Sequence, residues 1–115
     1  MADLLVDTDV VIDHLRGAAR LTRPSGRAIC CSVITRAELI AGPQEQEVAV
    51  RKLLATFREL PVSAAIAEVA GGIKRATGIA LPDALIAATA VTADLELWTR
   101  NRRDFERVDG LRIAG

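Results

Sequence analysis

Short apolar runs that stop on a polar residue and hand over to a helical pattern recur along the chain, and this alternation of periods constrains the fold more than any other feature. Leu4-Leu5-Val6 ends at Asp7 and is followed by Val10, Val11 and Leu15 at helical spacing. Ala28 to Ser32 repeats the arrangement, feeding a helix that carries Ala37, Leu39 and Ile40 until Gly42-Pro43 stops it. Residues 45–58 and 63–77 predict two amphipathic helices separated by Leu60-Pro61-Val62, which reads as a short strand, and Gly78 closes the second. Pro82 suits the first turn of a helix running to Thr92. Leu95 to Thr99 then predicts a strand, Asn101 to Val108 a last short helix, and Leu111 to Ile113 a final apolar segment. Strands alternating with helices predict an α/β chain: a three-layer α/β/α sandwich with a central parallel sheet. With 115 residues and no linker or repeat, residues 1–115 are expected to form a single domain.

Half the residues are hydrophobic but only three are aromatic (Phe57, Trp98 and Phe105), so the core must be aliphatic, which argues against an aromatic platform for stacking bases. Fifteen basic and fifteen acidic residues cancel, so no overall positive charge advertises nucleic acid. The distribution is less even. Residues 1–13 hold four Asp and no base, residues 14–37 hold five Arg and no acid, and residues 100–112 hold five Arg against three acids. The longest uncharged run, Ala84 to Ala93, has ten residues, too short to span a bilayer, and Asp3 without an early base is unlike a signal peptide; a cytoplasmic protein is expected. Cys30 and Cys31 are adjacent, so in an extended segment they point to opposite faces and are expected to be small buried hydrophobes rather than a disulfide.

In an open α/β sheet, ligands bind beyond the carboxyl ends of the strands, where loops lead into helices. Those junctions are acidic here: Asp7 after the first strand, Glu38 after the second, Asp83 at a helix start and Asp104 in the last helix. If they converge, their mutual repulsion calls for a cation, and hard oxygen donors suit Mg²⁺ or Mn²⁺. One His, His14, and two cysteines back to back leave too few ligands for zinc and make a Ser-His-Asp arrangement improbable. Each acid also has a plainer reading at a helix start. Thr35-Arg-Ala-Glu38 fits a capping box, Asp83 follows Pro82, Asn101-Arg-Arg-Asp104 fits a similar cap, and Asp9 is expected to cap the first helix. Asp7 stands apart because it ends an apolar strand, where an uncompensated charge is disfavoured. Asp13 is expected on a solvated face, and His14 at the surface or in packing.

Taken together, Leu5-Val-Asp7-Thr-Asp-Val-Val-Ile, Ser32-Val-Ile-Thr-Arg-Ala-Glu38-Leu-Ile-Ala-Gly42, Leu81-Pro-Asp83-Ala-Leu-Ile-Ala-Ala-Thr89 and Trp98-Thr99-Arg-Asn101-Arg-Arg-Asp104-Phe105 resemble, in order, the motifs of a PIN-domain ribonuclease of the VapC toxin type. The resemblance spans nearly the whole chain. It implies the Rossmann-like PIN fold and an Mg²⁺- or Mn²⁺-dependent endoribonuclease, the toxin of a type II toxin–antitoxin system, leaving 5′-phosphate and 3′-hydroxyl ends. It also implies a VapB-like antitoxin whose C-terminal segment occupies the active-site groove, and a homodimer. Carried across, Asp7, Glu38 and Asp83 take the metal positions. The fourth acid occurs in relatives at the place of either Asn101 or Asp104; here the first is an amide and Asp104 is the choice. Thr99 and Asn101 would orient ligands, water or phosphate. Arg100, Arg102, Arg103 and Arg107 lie where RNA would pass, and Arg16, Arg20, Arg23 and Arg27 either extend that track or form a solvated face. Apolar stripes at Val48, Leu53, Leu54, Phe57 and at Ile66, Val69, Ala70, Ile73 read as core, dimer surface or both.

Two other classes compete. Leu5-Val-Asp7-Thr-Asp9-Val also fits the start of a haloacid-dehalogenase-like phosphatase, but Lys52 and Lys74 sit within expected helices and no Asp-Asp pair follows. A receiver-type phosphoacceptor domain fails for want of a late-strand Lys. A non-catalytic PIN-like module that binds RNA or protein is disfavoured because all four acids stand.

Overall fold

The computed structural model describes all 115 residues. In chain order it contains β1 (Leu4–Val6), α1 (Thr8–Leu15), β2 (Ile29–Ser32), α2 (Val33–Ile40), a single 3₁₀ turn (Gln44–Gln46), α3 (Glu47–Leu54) and β3 (Arg58–Leu60). There follow α4 (Ala64–Thr77), α5 (Leu81–Thr92), β4 (Glu96–Trp98), α6 (Arg102–Phe105) and β5 (Arg112–Ile113). The five strands form one parallel sheet in the order β3-β2-β1-β4-β5. Six helices flank it, as the alternating pattern predicts.

Burial follows the pleat. Leu5, Cys30 and Leu97 point into one core with Ile66, Ala70, Phe105 and the alanines of α5, while Val6, Ile29 and Cys31 point into the other with Val10, Val11, Leu39, Val50 and Leu54. The cysteines are therefore back to back and free, and burial pushes the Cys31 thiol up to about 12. Ala84, Ala87, Ala88 and Ala90 are fully buried, so α5 is enclosed on most sides and its small side chains let α4 pack against it closely.

Three boundaries differ from the sequence pattern. The helix expected over 45–58 ends at Leu54, because tight turns from Leu53 and Leu54 bury Phe57 and place Arg58 opposite Cys30. The strand then stops at Leu60, since Pro61 has no N–H to continue the ladder. The last helix covers only Arg102–Phe105; a turn from Phe105 to Val108 seats both apolar side chains in the core without further helix. Gly78, at φ 77°, closes α4 in the left-handed conformation that a side chain would strain.

After β1 the chain runs outward through β2 and β3, then returns to the other side of β1 for β4 and β5. The reversal point is thus the crevice at the carboxyl ends of β1 and β4, where an open α/β sheet binds its ligand. Asp7 and Thr99 border it.

Candidate active site

Asp7 follows β1 directly and caps α1: its Oδ1 accepts from the Thr8 backbone N–H at 2.8 Å. Its Oδ2 accepts from Thr99 Oγ1 at 2.8 Å across the crevice, while its own N–H donates to Trp98 O at 2.8 Å. Asp7 is only 3% exposed. Burial raises its carboxyl to about 6, the charges of Asp9 and Asp83 add to the rise, and the hydrogen bonds from Thr99 and Thr8 oppose it. The expectation that Asp9 caps α1 is thereby corrected: Asp7 does so, and Asp9 lies exposed in the first turn, adding its charge to the cluster.

Thr8 links the first junction to the second. Its Oγ1 donates to Glu38 Oε1 at 2.7 Å and lies 2.9 Å from Thr35 Oγ1. The capping box read at Thr35 and Glu38 is also corrected, because Ser32 caps α2 through Ile34 N–H at 3.0 Å and Thr35 is buried as the third residue of the helix. Thr8 and Thr35 are the members of the site that the sequence reading missed; the available signal was that Thr35 lies three residues before Glu38, on the same helix face.

Asp83 is half-buried in the first turn of α5, and its carboxyl is raised by burial and then by the charges of Glu38, Asp9 and Asp104. Asp104 is half-buried in α6, with its Oδ2 accepting from Asn101 Nδ2 at 2.7 Å. Asn101 N–H donates to Thr99 Oγ1 at 2.9 Å, so Thr99 and Asn101 connect Asp7 with Asp104. The four acids singled out in the sequence are therefore brought to one end of the sheet, where they act on one another electrostatically. No three are close enough to form a ready-made coordination shell. The donor set nevertheless fits a hard divalent cation: several carboxylates, hydroxyls that orient them, and a buried Asp7 whose hydrogen-bond donors carry no charge. His14 is occupied elsewhere, its Nδ1 accepting from Leu21 N–H at 3.0 Å.

The basic residues distribute differently from the sequence expectation. Arg100 turns its guanidinium onto Asp13, which is buried rather than on a solvated face. Arg102 donates to Ala114 O at 2.9 Å and Arg107 to Thr77 O at 3.0 Å, each leaving the guanidinium exposed, and Arg103 is exposed on α6. Arg27 pairs with Glu96 at the amino end of β4 yet lines one cavity with Thr99 and Arg102, so it adjoins this group, whereas Arg23 lies over the Phe57 ring, 5.4 Å from its centroid.

Residues 4–111 match the family described as PIN domain. Ribonuclease VapC10 of Mycobacterium tuberculosis is 42% identical over 120 residues, an alignment that takes in 95% of this chain and 90% of that protein. This chain belongs to the VapC group of PIN-domain proteins. Among solved structures, this VapC-type chain is similar to one in a toxin–antitoxin complex from Klebsiella pneumoniae (33% identity, 95% of each chain, TM-score 0.78). It is also similar to one in DNA-bound VapBC from Salmonella typhimurium (26% identity, 99% and 98% of the two chains, TM-score 0.86). Neither rival enzyme class is needed to account for the first motif. No helix of the VapC-type chain is long and apolar enough to cross a membrane.

Proposed function

We propose that this chain is a divalent-metal-dependent endoribonuclease, the toxin of a VapBC-type pair, that hydrolyses RNA phosphodiester bonds to 5′-phosphate and 3′-hydroxyl ends. The observation that carries the reading is the state of Asp7: buried at the topological switch point, flanked by further carboxylates and contacted by hydroxyl and amide donors but no base. A buried anion left in that condition is suited to a cation from solution. Relatives named ribonucleases and structural neighbours in toxin–antitoxin complexes support the same reading.

In this mechanism Asp7, Glu38 and Asp83 would hold Mg²⁺ or Mn²⁺. When bound, the ion supplies a Lewis acid that neutralises phosphate charge and makes water acidic enough to attack near neutral pH. The chain's own groups do the rest. Thr99 and the Thr8 N–H fix both oxygens of Asp7, and the Thr8 hydroxyl fixes one oxygen of Glu38. Asn101 holds Asp104 through Oδ2, leaving Oδ1 to accept a proton from the attacking water. Arg102, Arg103 and Arg107 line the approach and offset the repulsion between RNA and the acidic cluster. A VapB-like antitoxin would silence the site by occupying its groove, and a homodimer is the proposed working form.

The test is RNA incubated with purified protein and Mg²⁺ or Mn²⁺, beside an Asp7→Asn variant shown to be folded. Cleavage by the wild type should be abolished by EDTA and fall at least ~100-fold in the variant, beyond the ~10- to 100-fold typical of residues that only support a ligand. Equal cutting by both proteins overturns the mechanism. Co-expression with a VapB-like partner should relieve growth arrest; arrest that no such partner relieves removes the toxin assignment.

A further inference from the structure

Three consecutive residues after β4 divide the work at the crevice. Thr99 holds Asp7, and Asn101 holds Asp104. Arg100, between them, reaches 87 residues back along the chain to Asp13 on α1. The segment 99–101 has neither helix nor strand to fix it, so its placement depends on such ties.

Asp13 is an unusual choice for a structural anchor. Its side chain is 12% exposed, and a carboxylate withdrawn from water costs free energy unless a cation meets it. It lies on the same helix that Asp7 caps, so a tie between Asp13 and Arg100 fixes the segment 99–101 against the element that carries Asp7. Together with the Asp7–Thr99 hydrogen bond it makes a second fastening between the first and last motifs of the site.

We propose that Asp13 and Arg100 are positioning residues for the reaction, a brace that sets Thr99 and Asn101 and through them Asp7 and Asp104, and that Arg100 does not serve as an RNA contact. The Arg100 side chain is 62% exposed and gives only Nη1 to Asp13, so a phosphate that drew Nη1 away would leave Asp13 buried without its partner. The inference rests on the nuclease reading for its kinetic consequences, but not for its structural one.

The experiment compares Asp13→Asn, Arg100→Gln and the double variant, each checked for fold by circular dichroism. Steady-state cleavage of RNA is measured over a range of salt, and exchange of the Asn101 amide, which donates to Thr99, is followed by NMR. The brace predicts that each single variant lowers kcat about tenfold, as other supporting residues do. KM should stay within about twofold, the salt slope should not change, and the double variant should be no worse than the poorer single, since the two act as one unit. The Asn101 amide should exchange faster in all three variants. An RNA contact predicts otherwise: Arg100→Gln raises KM and reduces the salt slope by about one, and Asp13→Asn cuts as well as wild type. That pattern, or unchanged Asn101 exchange in Asp13→Asn, overturns the brace. If the wild type cuts no RNA, the nuclease reading fails, and the exchange data still decide the brace.

Discussion

At the amino ends of the strands, acids are met by bases or by backbone donors supplied by the chain itself. Arg27 donates from Nε to Ala2 O at 2.7 Å and places Nη2 3.1 Å from Glu96 Oε1. Asp3 accepts from Ala28 N–H at 2.9 Å, and Asp94 accepts from Arg112 at 2.7 Å. At the carboxyl ends, Asp7 has neutral donors and acidic neighbours, Asp83 is pressed by Glu38, Asp9 and Asp104, and Arg100 is spent on Asp13. One sheet therefore carries a rim whose acids are met and a rim where, beside the closed pairs Arg100–Asp13 and Arg36–Glu59, Asp7 and Asp83 are left without a base. An open charge costs the isolated fold stability and is retained where an outside partner can supply the compensation.

The largest effect that tests this contrast is Asp7→Asn, read on stability rather than cleavage. The folded Asp7 carboxyl titrates at about 6 against an ordinary value of 3.8. Below the ordinary value both states are protonated and the preference for the folded state is fully present. As pH rises toward 6 the unfolded chain ionises first, and stability is lost through that window. Two units correspond to roughly 3 kcal/mol. In EDTA, wild-type stability from urea unfolding should fall between about pH 4 and pH 6, with the raised carboxyl of Asp83 contributing in the same direction. Asp7→Asn should flatten most of this fall and leave the variant about 2 kcal/mol more stable than wild type at pH 7.5. A destabilised variant with an unchanged pH profile would show that the carboxyl rim is closed after all.

Thr99→Val sharpens the comparison at smaller cost. It removes the hydroxyl that holds Asp7 Oδ2 and accepts from Asn101 N–H, yet keeps the side-chain volume. Cleavage should drop roughly 10-fold, mainly in kcat. Because that hydrogen bond lowers the Asp7 carboxyl, the acid-to-neutral loss of stability should also move to higher pH. A change in KM alone would mean that Thr99 meets RNA and does not serve Asp7.

Most of the layered architecture was legible because strand and helix leave different periods in the apolar residues. Asp7 and Asp83 were legible because each stands where a helix begins, whereas Glu38 and Asp104 lie inside α2 and α6 and were legible only through the order of the four motifs. What stayed hidden was set by partners far along the chain. Phe57 belongs by spacing to the preceding helix, but docking against the second core pulls it into a turn and starts β3 at Arg58. The Thr8 to Thr35 contact spans 27 residues, and nothing local to either threonine announces it. Asp13 reads as solvent-facing until α1 is placed beside the segment after β4, where Arg100 meets it. Helix caps misled for a related reason: Asp9 and Asp7 are both chemically able to cap, and only the backbone path decides between them.

Glu96→Gln offers the smallest expected effect and the control on the other rim. The Arg27 and Glu96 side chains are 11% and 23% exposed, so the pair is partly screened by solvent. Arg27 Nη2 lies within ion-pair distance of Glu96 but lacks a well-aligned hydrogen bond, so the attraction is largely electrostatic and undirected. Gln keeps an acceptor oxygen and the packing while removing the charge. The loss should be about 1 kcal/mol, above that of a fully exposed ion pair because Arg27 Nη2 is buried and loses its only anionic neighbour, with cleavage within about twofold of wild type because Glu96 stands at the opposite end of β4 from Thr99. Its sign is what matters. Neutralising an acid should destabilise the amino rim slightly and stabilise the carboxyl rim substantially, and two substitutions that moved stability in the same direction would dissolve the distinction between a charge the fold has answered and one it has left for a ligand.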